Sequence, residues 1–202
     1  MQKLSITIPF ALTALAALPA QITTSTTTVA VGNRPDEIAL GDVDGDGDLD
    51  FAITADIPVN GVQLFLNDGA GNFALGGTIF VSSQTRSVRL ADLDGDGDLD
   101  LAVSTAAAVA VLSNLGGGAY GTATFYPVGV NPRGLTIADF DGSSTPDLAV
   151  ANRDSNTVSV LLNLGGGIFG PALNIPVGIE PRNVIAADFD RDGSPDLAEA
   201  RS

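Results

Sequence analysis

Cysteine and histidine are both absent from this 202-residue chain. Without cysteine there are no disulfides, no thiolate metal sites, no thiol nucleophile and no lipid-modified N-terminal cysteine. Without histidine the commonest general base and the usual zinc ligand are gone. The single lysine is Lys3, which leaves no lysine in the body of the chain for a Schiff base or for cradling phosphate. Positive charge is scarce altogether: 9 Lys and Arg stand against 24 Asp and Glu, for a net charge of −15. Such a chain repels nucleic acid and anionic membrane surfaces, so no nucleic-acid partner is expected. Charged residues nevertheless make up only 16% of the chain and hydrophobic ones 45%, enough apolar surface to fold. What remains in abundance is hard oxygen ligands, a donor set that favours calcium or magnesium over transition metals.

The N-terminus combines one early positive charge, an apolar run from Leu4 to Leu18, and Pro19-Ala20-Gln21. This pattern predicts a secretory signal peptide over residues 1–20, cut after Ala20. The run is shorter than the roughly 20 apolar residues a spanning helix needs, so no membrane span is expected. Residues 21–202 are then the mature repeat region.

That region is built on a repeat. Four acidic segments align: 42–50, 92–100, 139–147 and 188–196, with starts 50, 47 and 49 residues apart. Fixed spacing of this kind marks an array of like units. The flanks repeat in register. Val31, Val81, Val128 and Val177 precede the acidic segments at one offset. Pro35, Pro132 and Pro181 share the next marked position, and Arg86, Arg133 and Arg182 the one after it, where the first copy has Asp36. Each of the first three acidic segments is followed by two short apolar runs and then a Gly-rich turn ending at Phe73, Tyr120 or Phe169. In Thr157–Leu162, Val158, Val160 and Leu162 fall on one face at period two, which is strand periodicity. Each repeat therefore reads as four short strands separated by Gly, Pro, Asn and Asp turns. Four strands in about 40–50 residues is the size of one propeller blade, and a lone blade must stack on neighbours to cover its faces. The expected fold is all-β: about four four-stranded blades forming a partial β-propeller. The Thr-rich stretch Thr23–Thr28 is expected to be a strand.

The acidic segments carry the chemistry. In the first, Asp42, Asp44, Asp46, Asp48 and Asp50 occupy positions 1, 3, 5, 7 and 9; in the second, Asp92, Asp94, Asp96, Asp98 and Asp100 do so. The third offers Asp139, Asp141, Ser143, Thr145 and Asp147, and the fourth Asp188, Asp190, Asp192, Ser194 and Asp196. Alternate side chains in a curled loop converge on one point, glycine at position 6 permits the bend, and position 7 can offer its carbonyl. Such an oxygen cage suits Ca²⁺, with magnesium second. The first half matches an EF-hand loop, but position 12 is Ile53 rather than Glu, so position 9 must close the cage. Packing several like charges into one turn predicts that folding is coupled to metal. The third loop has Ser143 at position 5 and Ser144 where glycine is wanted, so it is expected to bind more weakly or not at all.

Together, Asp-x-Asp-Gly-Asp-Gly-x-x-Asp-Leu-Ala-Val, Asn156–Asn163 and Gly165–Phe169 resemble the FG-GAP/VCBS repeat, the blade unit of integrin α-chain-type propellers. The resemblance covers nearly all of residues 30–198. It implies a secreted or cell-surface propeller, structural Ca²⁺ between the first two strands of each blade, and ligands at positions 1, 3, 5, 7 (carbonyl) and 9. Propellers of that type usually have seven blades. Here three whole repeats and the start of a fourth are present, so a partial array is expected, with open blade edges able to pair with another chain.

Other features have plainer readings. The Gly runs at 116–118 and 165–167 have no following lysine or helix and read as tight turns rather than phosphate loops. Arg86, Arg133 and Arg182 are expected to make structural bonds to a loop carboxylate or carbonyl between blades, with an anionic ligand as the alternative. The functional expectation is a non-enzymatic, calcium-stabilised module for extracellular protein or glycan binding or adhesion. The alternatives are a piece of a calcium-dependent propeller enzyme, such as a polysaccharide lyase, and a passive spacer. For a lyase, the bases left in the chain are Arg, Tyr120, Tyr126 or a carboxylate.

Overall fold

The computed structural model describes residues 2–10, 23–55, 60–81 and 84–201, with side chains from Thr28 onward. Among them there is no helix. The strands are β1 (Gln2–Phe10), β2 (Thr23–Val31), β3 (Pro35–Gly41), β4 (Asp50–Ala55), β5 (Gly61–Asn67), β6 (Phe73–Phe80), β7 (Thr85–Ala91), β8 (Asp100–Thr105), β9 (Ala108–Leu112), β10 (Thr124–Pro127), β11 (Pro132–Ala138), β12 (Asp147–Asn152), β13 (Thr157–Leu161), β14 (Leu173–Pro176), β15 (Pro181–Ala187) and β16 (Asp196–Arg201). Antiparallel pairing in sequence order gives three four-stranded meanders, β3–β6, β7–β10 and β11–β14, and a two-stranded fourth sheet, β15–β16. The first strands, β3, β7, β11 and β15, pack against one another in succession. The sheets are thus blades arrayed around a shared inner edge: a partial β-propeller.

The Leu-Ala-Val run after each acidic loop explains why the blades stack. Every residue of β4, β8 and β12 is buried, because both faces of these strands are covered. Side chains alternate between the faces. Leu101 and Val103 join Ala52, Val62 and Leu64 of the first blade, while Ala102 joins Leu135, Leu148 and Val150 of the third. Ala149 and Ala151 in turn lie with Val184 of the fourth. Large residues on one face meet small ones on the next blade, so the sheets nest closely. Fully burying one such leucine or valine stabilises by about 1.5–3 kcal/mol. The outer strands β10 and β14 are mostly exposed.

The first blade has Phe51 and Ile53 on the face that no preceding blade covers. Val29 and Val31 of β2 fill that place, joining Phe51, Ile53 and Phe65. Phe51 stacks on Phe65 with ring centroids 4.7 Å apart. The Thr-rich stretch is a strand, as its sequence predicts, and it is paired with β1. It does not pair with the C-terminal strands to close a ring. The expected leader spans β1, and its expected cut after Ala20 lies outside the described residues. The free edge of β16 has no strand beside it among the described residues.

Candidate metal centres

Each acidic loop joins the first and second strands of a blade, and its bend comes from a recurring left-handed residue at position 6. Gly47, Gly97 and Gly193 have φ of 93°, 96° and 92°. Ser144 holds the same place in the third loop with φ 67°. The bend turns backbone N–H groups onto the position-1 carboxylate. Asp42 accepts from Gly45 at 2.8 Å and Gly47 at 2.9 Å. Asp139 accepts from Gly142 and Ser144, both at 2.8 Å, so the serine preserves the loop despite its side chain. The fourth loop differs at position 4, where Arg191 has φ 67° and donates its N–H to Asp188 at 2.6 Å.

Position 9 is the buried anchor. Asp50 is 0% exposed. It accepts the N–H of Val43 at 2.9 Å and of Asn67 at 2.8 Å, tying loop and third strand to the start of β4. Asp100 does the same with Leu93 and Asn114, and Asp147 with Phe140 and Asn163. Burial pushes the Asp100 carboxyl above its ordinary range, against the pull of its two N–H donors, and Asp94 and Asp96 add like charge. Desolvation also raises Asp44, with Asp50, Asp46 and Asp42 contributing repulsion. In the third loop the Ser143 hydroxyl and N–H lower Asp141 instead.

The convergence is direct. Ligand oxygens of Asp42, Asp44 and Asp50 all lie within 4.8 Å of one another, as do those of Asp92, Asp94 and Asp96, of Asp139, Asp141 and Asp147, and of Asp188, Asp190 and Asp196. Two oxygens each about 2.3–2.6 Å from one Ca²⁺ are at most about 5 Å apart, so all four groups fit that ion. Not every expected ligand joins a group. Asp46 donates and accepts within its own loop, its carboxylate taking the N–H of Asp48 at 2.9 Å. The Asp48 side chain lies against the Gly69 turn. Asp98, Asp100 and Asp192 also lie outside the groups, Asp192 accepting the N–H of Ser194 at 2.8 Å. The Ser143 and Thr145 hydroxyls bond each other at 2.7 Å. A like-charge pair about 4 Å apart costs about 1 kcal/mol even in water, and each group holds three carboxylates.

The loops also sit at the joints between blades, through residues whose role the sequence reading missed. Asn114, after the third strand of the second blade, donates to Val43 O in the first blade's loop at 2.9 Å and to Leu99 O in its own at 3.3 Å. Asn163 repeats this with Leu93 O at 2.8 Å and Pro146 O at 3.1 Å. The Gly-rich turn that follows rests on the same loop: a Cβ at Gly167 would lie 3.3 Å from Asp94 Cβ. These runs are turns, with Gly116, Gly117 and Gly118 all at positive φ. Tyr120 donates its hydroxyl to Leu99 O at 2.8 Å, and burial first, then the charges of Asp100, Asp50 and Asp98, raise its pKa. Of the repeated arginines, Arg86 makes a bond between blades as expected, an ion pair with Asp36 of the first blade at 3.5 Å, while Arg133 and Arg182 form no ion pair among the described residues.

Comparison with known proteins agrees with this architecture. A model of the FG-GAP-like repeat matches residues 42–103, 92–150 and 139–198. The chain is 25% identical to a lectin of Agrocybe aegerita, described as recognising non-reducing terminal N-acetylglucosamine, with a TM-score of 0.57. That likeness covers 79% of this chain and 45% of the lectin, so the chain spans under half the lectin's length. The Tc holotoxin pore of Photorhabdus luminescens is 22% identical over 90% of this chain and 9% of that one, with a TM-score of 0.41, too low to carry an argument. No curated protein matches the chain.

Proposed function

Because the chain belongs to the FG-GAP-like repeat family, we propose that it is a calcium-stabilised, non-catalytic binding module that works outside the cell and recognises glycan or protein. The observation that carries this reading is the recurrence of one carboxylate group, with oxygens within 4.8 Å, in all four repeats. Bound calcium would offset two of the three negative charges in each group and let the first three loops brace neighbouring blades through Asn114 and Asn163. The residues that hold it are the position-1 and position-3 aspartates, with Asp50, Asp96, Asp147 and Asp196 completing their groups. The lectin likeness favours a saccharide ligand, because rigid blades present turns whose sequences vary from repeat to repeat. Tyr120, spent as a buried hydrogen-bond donor, is a poor base for a lyase.

Residues 1–20 serve as the secretory leader in this reading, and the free edge of β16 offers a place for another chain. Among the described residues no helix is long and apolar enough to cross a membrane. The test is calorimetric titration of the chelator-stripped protein with calcium, followed by titration with a saccharide ending in N-acetylglucosamine. Saturable calcium binding, lost on Asp42→Asn with Asp44→Asn at the first site, and saccharide binding only in calcium are expected. Absence of saturable calcium binding would remove the basis of the reading, and calcium binding without saccharide binding would turn it toward a protein partner.

A further inference from the structure

The innermost strands share a second repeated feature, unrelated to the acidic loops. Each carries a β-bulge near its start, between Pro35 and Ile38, Thr85 and Ser87, Pro132 and Leu135, and Pro181 and Asn183. The bulge takes in Asp36 in the first blade and Arg86, Arg133 and Arg182 in the others. A bulge leaves its extra residue unpaired and re-aims its side chain. Here the bulged residues meet in one cavity of about 280 Å³ at the inner edge of the array, lined by Asp36, Glu37, Arg86, Arg133, Arg182 and Asn183.

The charges in this cavity do not cancel. Asp36 lies 3.5 Å from Arg86, whose other nitrogen donates to Gln84 at 2.9 Å. Glu37 is engaged by Arg89 at 2.6 Å. Arg133 and Arg182 form no ion pair among the described residues, and Arg133 Nε is buried without a hydrogen-bond partner. Burial lowers the pKa of Arg133, and the charges of Arg86, Arg153 and Arg182 lower it further. Asn183 takes the Val184 N–H on its side-chain oxygen, which leaves its amide N–H groups as further donors. A chain of net charge −15 thus gathers three of its few cations around one opening.

We propose that this cavity is a binding site for a compact oxyanion, a carboxylate or sulfate group held between Arg133 and Arg182 with Arg86 and Asn183 at its sides. Guanidinium forks match the paired oxygens of such groups and bind them more strongly than neutral donors do. The incoming charge would supply the partner Arg133 lacks and relieve the repulsion among the three arginines. In a saccharide ligand the group would be a uronate or a sulfate ester. The site does not depend on the neutral-glycan reading, since its probe is the anion alone.

The experiment titrates calcium-loaded protein with sulfate and, separately, with D-glucuronate at fixed ionic strength, for the wild type, Arg133→Gln, Arg182→Gln and Arg201→Gln. Arg182 is exposed, so its substitution leaves the fold intact even if Arg133→Gln does not fold. Saturable binding weakened about tenfold or more by Arg182→Gln, and unchanged by Arg201→Gln, is the expected result. Tighter sulfate binding would identify a sulfate ester as the source, and tighter glucuronate binding a uronate. No saturable binding of either anion, or equal affinity in wild type and Arg182→Gln, overturns the proposal.

Discussion

Ser144 shows how much of each loop rests on backbone geometry. It adopts the left-handed conformation of Gly47, Gly97 and Gly193, and its N–H reaches Asp139 as Gly47 reaches Asp42. A side chain in that conformation costs about 1 kcal/mol or more, which glycine avoids. Ser144→Gly should therefore raise stability by about 1 kcal/mol in chemical denaturation and tighten calcium binding at the third loop. An unchanged midpoint would mean that the loop pays nothing for its serine. The sequence predicts a weak third site because both the position-5 charge and the glycine are missing. The structure separates the two: Asp139, Asp141 and Asp147 still converge and Ser144 keeps the bend, so what the loop lacks is the carboxylates of positions 5 and 7, replaced by Ser143 and Thr145.

At the scale of the strand and its turn, Asn114 and Asn163, after the third strands of the second and third blades, each link their blade to the preceding one. Asn163 is 4% exposed. It satisfies a carbonyl in each of two loops and takes the Gly165 N–H at 3.0 Å. Asn163→Ala leaves those buried groups without partners, and should destabilise the calcium-bound protein by about 2 kcal/mol with an unchanged denaturant slope. A loss below about 0.5 kcal/mol, the range of an ordinary surface substitution, would show that the bonds do not couple the blades. The strands themselves were legible, since period-two alternation and turn residues mark them locally. Asn67, Asn114 and Asn163 were visible as repeated letters, but the partners of Asn114 and Asn163 in the preceding loop lie 71 and 70 residues away in sequence. No local pattern reveals a bond of that span. The surroundings of the repeated arginines were hidden for the same reason: they are set by bulges on four strands that meet only in the folded array.

For the whole molecule, the repeat count and the four-strand unit followed from the fixed repeat spacing and the strand pattern, and the structure agrees with three four-stranded blades and the start of a fourth. The stacking of large on small residues across each interface appeared only with the coordinates, as did the use of β2 to cover Phe51 and Ile53. The acidic loops lie on the interfaces this stacking creates, so their charge bears on the cohesion of the array as well as on each turn. Repulsion within several carboxylate groups is comparable to the roughly 5–15 kcal/mol that separates a folded domain from its unfolded chain. The most direct test is thermal unfolding of the protein in calcium and in excess chelator. A single transition at a much higher temperature in calcium, rising with calcium concentration as binding linkage requires, is the predicted result. Coincident transitions in calcium and chelator would contradict the account.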